Sequence, residues 1–248
     1  MQNYKMTIAY DGRRYKGYRR TKNSGESSIQ GKLEAILKKK YEEAIEVISA
    51  VNTDAGVHAT KQVVNFKCPD DGDQSKELLT YFETYLPEDI ITLAIEAVDE
   101  RFHSRYNVKS IVYEYRLWKS DALVRPLFDR QRVNRVEGPL TLGLMKLGAD
   151  LMIGEKDFVA FSTKAKAKSM VKDLQSLTIE ATDNEVVIRM SANGYLLNME
   201  RYIVGTLIQI GLCQREISDI ELAFEKKDSN YVGHKAMAPA LTLVDLIY

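Results

Sequence analysis

Long hydrophobic runs are missing from this sequence, and so is an N-terminal targeting pattern. No apolar run approaches the ~20 residues that a membrane-spanning helix needs. The first residues, MQNYKMTIAYDG, lack the charged and then apolar layout of a signal peptide. We therefore expect a cytoplasmic protein that makes no contact with a membrane.

Cysteine is also scarce. Cys68 and Cys213 are the only two in 248 residues, and neither has a second Cys or a His at ligand spacing. This argues against a disulfide framework and against a zinc site. His58 and His103 stand apart without a third ligand, which favours hydrogen-bonded structural roles over metal binding. We expect neither a metal nor a cofactor.

Excess charge of either sign is absent, because 35 Lys and Arg residues balance 35 Asp and Glu residues. No bulk positive charge pulls the molecule onto nucleic acid, so any RNA-binding surface must be local. The sequence also gives no support for a nucleotide-binding protein, a zinc protease or a hydrolase. None of their motifs occurs: GxGxxG after a strand, GxxxxGK[ST], HExxH or GxSxG.

The composition that remains is 45% hydrophobic and 28% charged, with little Gly or Pro, and is typical of a globular enzyme-sized chain rather than a disordered one. Its length fits one large domain or two of ordinary size. Strand and helix patterns alternate in both halves, which favours an α+β fold. We divide the chain into residues 1–107 and 108–248.

The first half contains a local basic patch. After a strand-like segment that ends at Tyr10, the loop DGRRYKGYRRTKNSG interleaves tyrosines with six cations, Arg13, Arg14, Lys16, Arg19, Arg20 and Lys22. Such a loop can contact phosphates and stack on bases, although an exposed solubilising turn has the same composition. The following SSIQGKLEAILKKKYEE predicts a helix capped by Ser28.

One acid stands in a turn of the first half. Asp54 lies within NTDAG, a string of turn formers between the predicted strands EVISAV and QVVNF. In the second half, VYEYRLW predicts a strand, LTLGLMKLGADLMIG a helix, and LQSLTIEATDNEVVIRMSA a hairpin. YLLNMERYIVGTLIQIGL predicts a long apolar helix in which Arg201 needs an anionic partner.

These segments resemble the TruA family of tRNA pseudouridine synthases. The string TDAGVHA followed by QVVNF is similar to the family's catalytic-aspartate motif. Further segments similar to the family occur in the family's order over nearly the whole chain: YDGRRYKGY and SIQGKLEAIL before this motif, and RFHSRY, VYEYRL, KDFVAF, GYLLNMERYIVGTL and APALTLVDLIY after it.

The resemblance implies an isomerase that converts uridine to pseudouridine in the anticodon arm of tRNA, without a cofactor. It implies a homodimer whose basic clefts hold the RNA. It also implies two similar α/β halves, whose antiparallel sheets merge into one continuous sheet flanked by helices. The first half would carry the catalytic Asp loop and the basic loop, and the second the central Tyr strand and the Arg-bearing helix.

By position, the resemblance implies that Asp54 is the nucleophile, that Tyr113 packs on the target base, and that Arg201 pairs with the catalytic carboxylate. We therefore expect the Arg201 guanidinium within hydrogen-bonding distance of Asp54. The remaining substrate contacts that it implies are Asn52, Arg14, Arg19, Arg20, His58 and Leu197.

Two departures from the family pattern leave a second hypothesis open. Where the family reads GRTDAGVHA, this chain has Val51 and Asn52, and Ile111 stands where a basic residue commonly precedes the central tyrosines. Asn52 has neither the charge nor the reach of arginine. The alternative is therefore an RNA-binding or assembly protein that keeps the fold with little or no turnover, on tRNA or another structured RNA.

Overall fold

The computed structural model describes residues 1–69, 72–163 and 169–248. Over these residues the fold is α+β. In chain order its strands and α-helices are β1 (Gln2–Tyr10), α1 (Ile29–Tyr41), β2 (Ile48–Ser49), β3 (His58–Cys68), α2 (Ser75–Tyr85), β4 (Ile90–Val98), β5 (Ser110–Trp118), β6 (Asn134–Arg135), α3 (Leu142–Met152), β7 (Gly154–Asp157), β8 (Val171–Ala181), β9 (Glu185–Ala192), α4 (Met199–Gly211), α5 (Ser218–Lys226) and β10 (Leu241–Ile247).

The chain forms two compact units. The first unit consists of Met1–Lys109 together with Thr242–Tyr248, and the second of Ser110–Leu241. Strand β10 therefore belongs to the first unit, except for its first residue, Leu241. No helix in the described parts of either unit is long and apolar enough to cross a bilayer.

The sheet of the first unit has the strand order β4-β1-β3-β10, and β2 pairs with β3. Strand β1 is antiparallel to both of its neighbours. The prediction of purely antiparallel sheets is wrong here, because β10 pairs with β3 in parallel through Thr242 with His58 and Leu243 with Ala59. A parallel pair needs a long crossover connection rather than a hairpin, and here the connection in sequence between β3 and β10 includes the second unit.

Helix α1 confirms its predicted cap. Ser28 Oγ accepts a hydrogen bond from the Gly31 N–H at 3.1 Å and donates one to the Gly25 carbonyl at 2.7 Å. The helix buries its predicted apolar face: Ile29, Leu33, Ile36 and Leu37. The predicted strand EVISAV is shorter than expected, because only Ile48 and Ser49 pair with β3.

The sheet of the second unit has the order β5-β9-β8-β7, and β6 pairs with β5 in parallel. Strands β8 and β9 form the predicted antiparallel hairpin. Helix α4 begins at Met199, four residues later than predicted, because Asn198 has a left-handed φ of 63° that no α-helix contains. Its predicted buried face is confirmed, with Met199, Ile203, Leu207 and Ile210 all at 0% exposure.

Helix α4 packs closely against the segment 233–236. The Ala236 N–H donates to the Arg201 carbonyl at 3.0 Å, and the Gly233 N–H donates to Thr206 Oγ1 at 2.9 Å. A Cβ atom placed on Gly205 would lie 1.7 Å from the His234 carbonyl oxygen. The absence of a side chain at position 205 therefore permits this packing.

We predict that Gly205→Ala lowers the free energy of unfolding by about 1–3 kcal/mol, because backbone must move to admit the methyl group. The matched control is Gly143→Ala in α3, where a Cβ would meet nothing within 4 Å. That change should raise stability by up to about 1 kcal/mol through helix propensity. Urea unfolding measures both, and equal effects of the two substitutions would contradict the close packing.

Candidate functional site

Asp54 begins a tight turn directly before β3. The Val57 N–H donates to the Asp54 carbonyl at 3.1 Å, and Gly56 takes the positive φ of 85° that the turn requires. The Asp54 side chain is half-buried. The turn therefore holds a half-buried carboxylate on a backbone of defined conformation.

The residues before Asp54 are held by one buried and one partly buried hydrogen bond. The hydroxyls of Tyr10 and Thr53 are joined at 2.7 Å, and both side chains are only 5% exposed. Gln62 Nε2 donates to the Val51 carbonyl at 2.8 Å. Strands β1 and β3 thus fix the chain on the N-terminal side of the acid.

The basic loop after β1 rests on the Asp54 turn. The Tyr18 N–H donates to the Thr53 carbonyl at 3.0 Å. Gly17 has a φ of +91°, and a Cβ there would lie 3.0 Å from the Thr53 oxygen and 3.2 Å from the Ala55 nitrogen. Both the backbone conformation and the contact favour glycine, so the loop and the turn form one rigid feature.

His58 lies on the C-terminal side of the turn and is 5% exposed. Its Nδ1 accepts a hydrogen bond from the Gly12 N–H at 3.3 Å and lies 3.2 Å from Asp11 Oδ1. The structure thus places His58 against the start of the basic loop. Its predicted contact with substrate stays a prediction.

Several cations of the basic loop already face carboxylates. Arg13 pairs with Asp11 at 2.6 Å, Arg14 lies 3.6 Å from Asp89, and Arg20 Nε lies 3.0 Å from Glu34 Oε2. The Arg14 side chain is nonetheless 86% exposed and that of Arg20 59%. Their partner carboxylates are less exposed, with Asp89 at 17% and Glu34 at 9%. Arg19 is also exposed.

A polar cluster lies beside Asn52. Ser49 Oγ donates to Asn52 Oδ1 at 3.2 Å, and Arg105 Nε donates to the Ser49 carbonyl at 3.2 Å. Asn52 and Arg105 are both exposed. Sequence reasoning missed Arg105, because its segment RFHSRY was informative only as part of a family pattern and nothing local linked it to the Asp54 turn.

Tyr113 lies on β5 in the second unit and is 2% exposed. Its ring packs edge-on against Tyr195, with centroids 5.3 Å apart and planes at 84°. The Tyr195 hydroxyl donates to the Ile111 carbonyl at 3.3 Å. Burial, and to a lesser extent the charge of Glu200, raise the pKa of Tyr195 well above its usual range, so this hydroxyl stays protonated.

Arg201 lies in the first turn of α4 and is half-buried. Its Nε donates to the Ala236 carbonyl at 2.7 Å, and an Nη donates to Asn198 Oδ1 at 3.3 Å. These contacts hold the guanidinium in a fixed orientation. Nearby Leu197 is exposed, and its carbonyl accepts from the Thr163 N–H at 3.0 Å.

Asp54 belongs to the first unit, and Tyr113 and Arg201 belong to the second. The predicted hydrogen bond between Asp54 and Arg201 therefore stays a prediction. Among the residues that the structure describes, no group of three or more His, Cys, Asp or Glu side chains could hold a metal ion.

Comparison with known proteins gives similarity over both units. Residues 149–248 match the profile of a family described as tRNA pseudouridine synthase. The chain is 41% identical over 234 residues to tRNA pseudouridine synthase A of Bacillus sp. (strain KSM-64), with 94% of each chain covered. It is 41% identical over 244 residues to tRNA pseudouridine synthase A 2 of Bacillus cereus (strain ZK / E33L), covering 98% of each. It is 35% identical over 251 residues to tRNA pseudouridine synthase A 1 of Clostridium tetani (strain Massachusetts / E88), covering 100% of each.

The bond between Tyr10 and Thr53 gives a prediction for stability and its pH dependence. Tyr10→Phe should cost about 1–3 kcal/mol near pH 8, because the buried Thr53 hydroxyl loses its partner. Burial raises the pKa of Tyr10 to about 12, whereas an unfolded tyrosine ionises near pH 10. The stabilisation of the folded state by the protonated Tyr10 hydroxyl is thus complete below about pH 10 and is lost as the pH rises towards 12.

The stability difference between wild type and Tyr10→Phe should therefore shrink by about 1 kcal/mol between about pH 8 and about pH 10.5. Urea unfolding at the two pH values measures it. Tyr106→Phe, which removes an exposed hydroxyl, serves as the control and should change stability by less than about 0.5 kcal/mol. A difference that is independent of pH would contradict the buried position of the Tyr10 hydroxyl.

Proposed function

The chain belongs to the tRNA pseudouridine synthase A family, and from that premise we propose that it isomerises uridine in the anticodon arm of tRNA with Asp54 as the nucleophile. It is a tRNA pseudouridine synthase and hence an isomerase. The observation that carries the assignment of the nucleophile is the rigid turn that presents the half-buried Asp54 carboxylate.

The reaction breaks the bond between the ribose C1′ and uracil N1 and forms one between C1′ and uracil C5. The target nucleotide must first leave its stack in the RNA. A carboxylate divides this change into easier covalent steps, by attacking the sugar or by adding to the ring. In either route the proton on C5 leaves to solvent, and N1 gains a proton.

Arg201 and Tyr113 are the second-unit residues that we assign to this chemistry. A guanidinium beside Asp54 would pair with the carboxylate and hold it in line for attack. The fixed contacts of Arg201 with Ala236 and Asn198 support such a positioning role. Tyr113 would offer its ring to the target base, and its packing against Tyr195 supports a fixed ring orientation.

The first unit supplies most of the proposed RNA contacts. Arg14, Arg19 and Arg20 extend from the loop that rests on the Asp54 turn, so a phosphate bound there lies near the acid. Asn52 is exposed two residues before Asp54, and Leu197 offers an exposed apolar side chain in the second unit. His58 is 5% exposed, so its proposed contact with substrate would involve only the small exposed part of its side chain.

We predict that Asp54→Asn lowers the rate of pseudouridine formation by more than about a thousandfold, because an amide cannot act as the nucleophile. The assay measures tritium released from carbon 5 of uridine in a labelled tRNA transcript. The matched control is Asp183→Asn, which changes an exposed acid in the turn between β8 and β9 and should leave the rate unchanged.

Two results would contradict this proposal. Undiminished turnover by Asp54→Asn would remove the acid from the chemistry. Salt-sensitive tRNA binding by the wild-type protein without any tritium release would favour an RNA-binding protein that keeps the fold but has lost turnover.

We further propose that the protein is a homodimer. Large apolar side chains that are exposed to solvent on the single chain support this, among them Leu123 at 94% and Phe128 at 95% exposure.

Light scattering should give twice the 28.2 kDa mass of one chain, and Phe128→Asp should shift the mass towards the monomer. Leu147→Asp, at a separate exposed apolar residue in α3, should not. A wild-type mass of one chain would contradict the dimer.

A further inference from the structure

We propose that Asp89 is a positioning residue for RNA binding, because its carboxylate holds Tyr15 and thereby fixes the basic loop that follows β1. This inference rests on the proposed function, since it assumes that the cations of that loop bind tRNA. It assigns a role to an acid that none of the sequence motifs contains.

The backbone of Asp89 is fixed to the sheet of the first unit. Asp89 directly precedes β4, and its carbonyl accepts a hydrogen bond from the Asp11 N–H at 2.9 Å. This bond continues the antiparallel pairing of β1 with β4 by one residue beyond Tyr10 and Ile90. The Ile90 N–H also donates to the Pro87 carbonyl at 3.0 Å. The Asp89 side chain therefore extends from a rigid support.

The Asp89 carboxylate contacts two neighbouring residues of the basic loop. The Tyr15 hydroxyl donates to Asp89 Oδ1 at 2.5 Å, and Arg14 Nη1 lies 3.6 Å from Asp89 Oδ2. Tyr15 is only 8% exposed. Burial, followed by the hydrogen bond to Asp89, raises the pKa of the Tyr15 hydroxyl above its usual range, so it remains a donor at neutral pH. A hydrogen bond to a carboxylate is stronger than one between neutral groups.

The basic loop is thus attached at two points. Tyr15 attaches it to the residue before β4, and the Tyr15 N–H donates to the Gly12 carbonyl at 3.0 Å, which closes a tight turn at the start of the loop. The Tyr18 N–H attaches it to the Thr53 carbonyl at 3.0 Å, directly before Asp54. The contact between Tyr15 and Asp89 is the attachment that does not involve the Asp54 turn.

Each attachment lies next to a proposed RNA-binding cation. Arg14 directly precedes Tyr15, and Arg19 directly follows Tyr18. The Arg14 side chain is 86% exposed and Arg19 is exposed, although the backbone beside each is held. A loop whose backbone is already ordered loses less conformational entropy when its cations bind phosphates. Asp89 should therefore increase the affinity for tRNA without touching the RNA.

The test measures the affinity of the full-length protein for a labelled tRNA transcript by fluorescence anisotropy. Asp89→Ala removes the acceptor and should weaken binding about fivefold, because the loop must then be ordered on binding. Asp89→Asn should stay within about twofold of wild type, because its amide oxygen can still accept from the Tyr15 hydroxyl. The matched control is Glu88→Ala, which truncates the neighbouring exposed acid and should bind like wild type.

A double-mutant cycle tests the contact itself. Tyr15→Phe removes the donor and should weaken binding about as much as Asp89→Ala does. In the Asp89→Ala background the same change should have no further effect, because the contact is already lost. Tyr15→Phe keeps the packed ring, so it tests the contact even if Asp89→Ala does not fold. Urea unfolding of each variant establishes that folded protein is being measured.

Four results would overturn the role of Asp89. The first is wild-type affinity in Asp89→Ala or in Tyr15→Phe. The second is a loss in Asp89→Asn as large as that in Asp89→Ala, and the third is additive effects of Asp89→Ala and Tyr15→Phe. The fourth is an equal loss in Glu88→Ala, which leaves the contact with Tyr15 in place.

Tritium release separates this role from the proposed catalysis. Asp89→Ala should raise KM for tRNA about fivefold and lower kcat by less than about twofold, because the bond between Tyr10 and Thr53 still holds the Asp54 turn. A lower kcat at unchanged KM would contradict the positioning role. Inactive wild-type protein with the predicted losses of affinity would support the role of Asp89 and contradict the catalysis. Active wild-type protein with unchanged affinity in Asp89→Ala would overturn only the role of Asp89.

Discussion

A buried hydrogen bond between the Tyr10 and Thr53 hydroxyls links the central strand of the first unit to the residue before Asp54. The position of the acid depends on this bond, because Thr53 is also where the basic loop attaches through the Tyr18 N–H. Gly17 allows that loop to approach the turn closely. An acid, its turn and a basic loop are thereby combined in one rigid feature, an arrangement that suits the role of nucleophile that we propose for Asp54.

The second unit fixes its own side chains by different means. Helix α4 packs so closely on the segment 233–236 that Gly205 leaves no room for a methyl group. The same segment supplies the Ala236 carbonyl that orients Arg201. Asn198, with its left-handed φ, directly precedes the helix and accepts a hydrogen bond from Arg201. Backbone packing and side-chain orientation are therefore coupled at the N-terminus of α4.

Local patterns in the sequence predicted the elements whose causes are local. The cap at Ser28, the apolar faces of α1 and α4 and the hairpin of β8 and β9 are confirmed, and relatives at 41% identity confirm the family. The parallel pairing of β10 was not predicted, because it joins β10 to a strand far away in the sequence. The late start of α4 was not predicted either, because it depends on the φ angle of the single residue Asn198. Arg105 escaped notice because only the fold brings it beside Ser49.

A crystal structure of the Asp54→Asn variant bound to tRNA would test most directly whether this turn receives the substrate. We expect one uridine of the anticodon arm to be out of its stack, with its ribose or uracil in contact with the side chain at position 54. A complex in which no nucleotide reaches the segment 49–57 would contradict the account of Asp54 as the nucleophile.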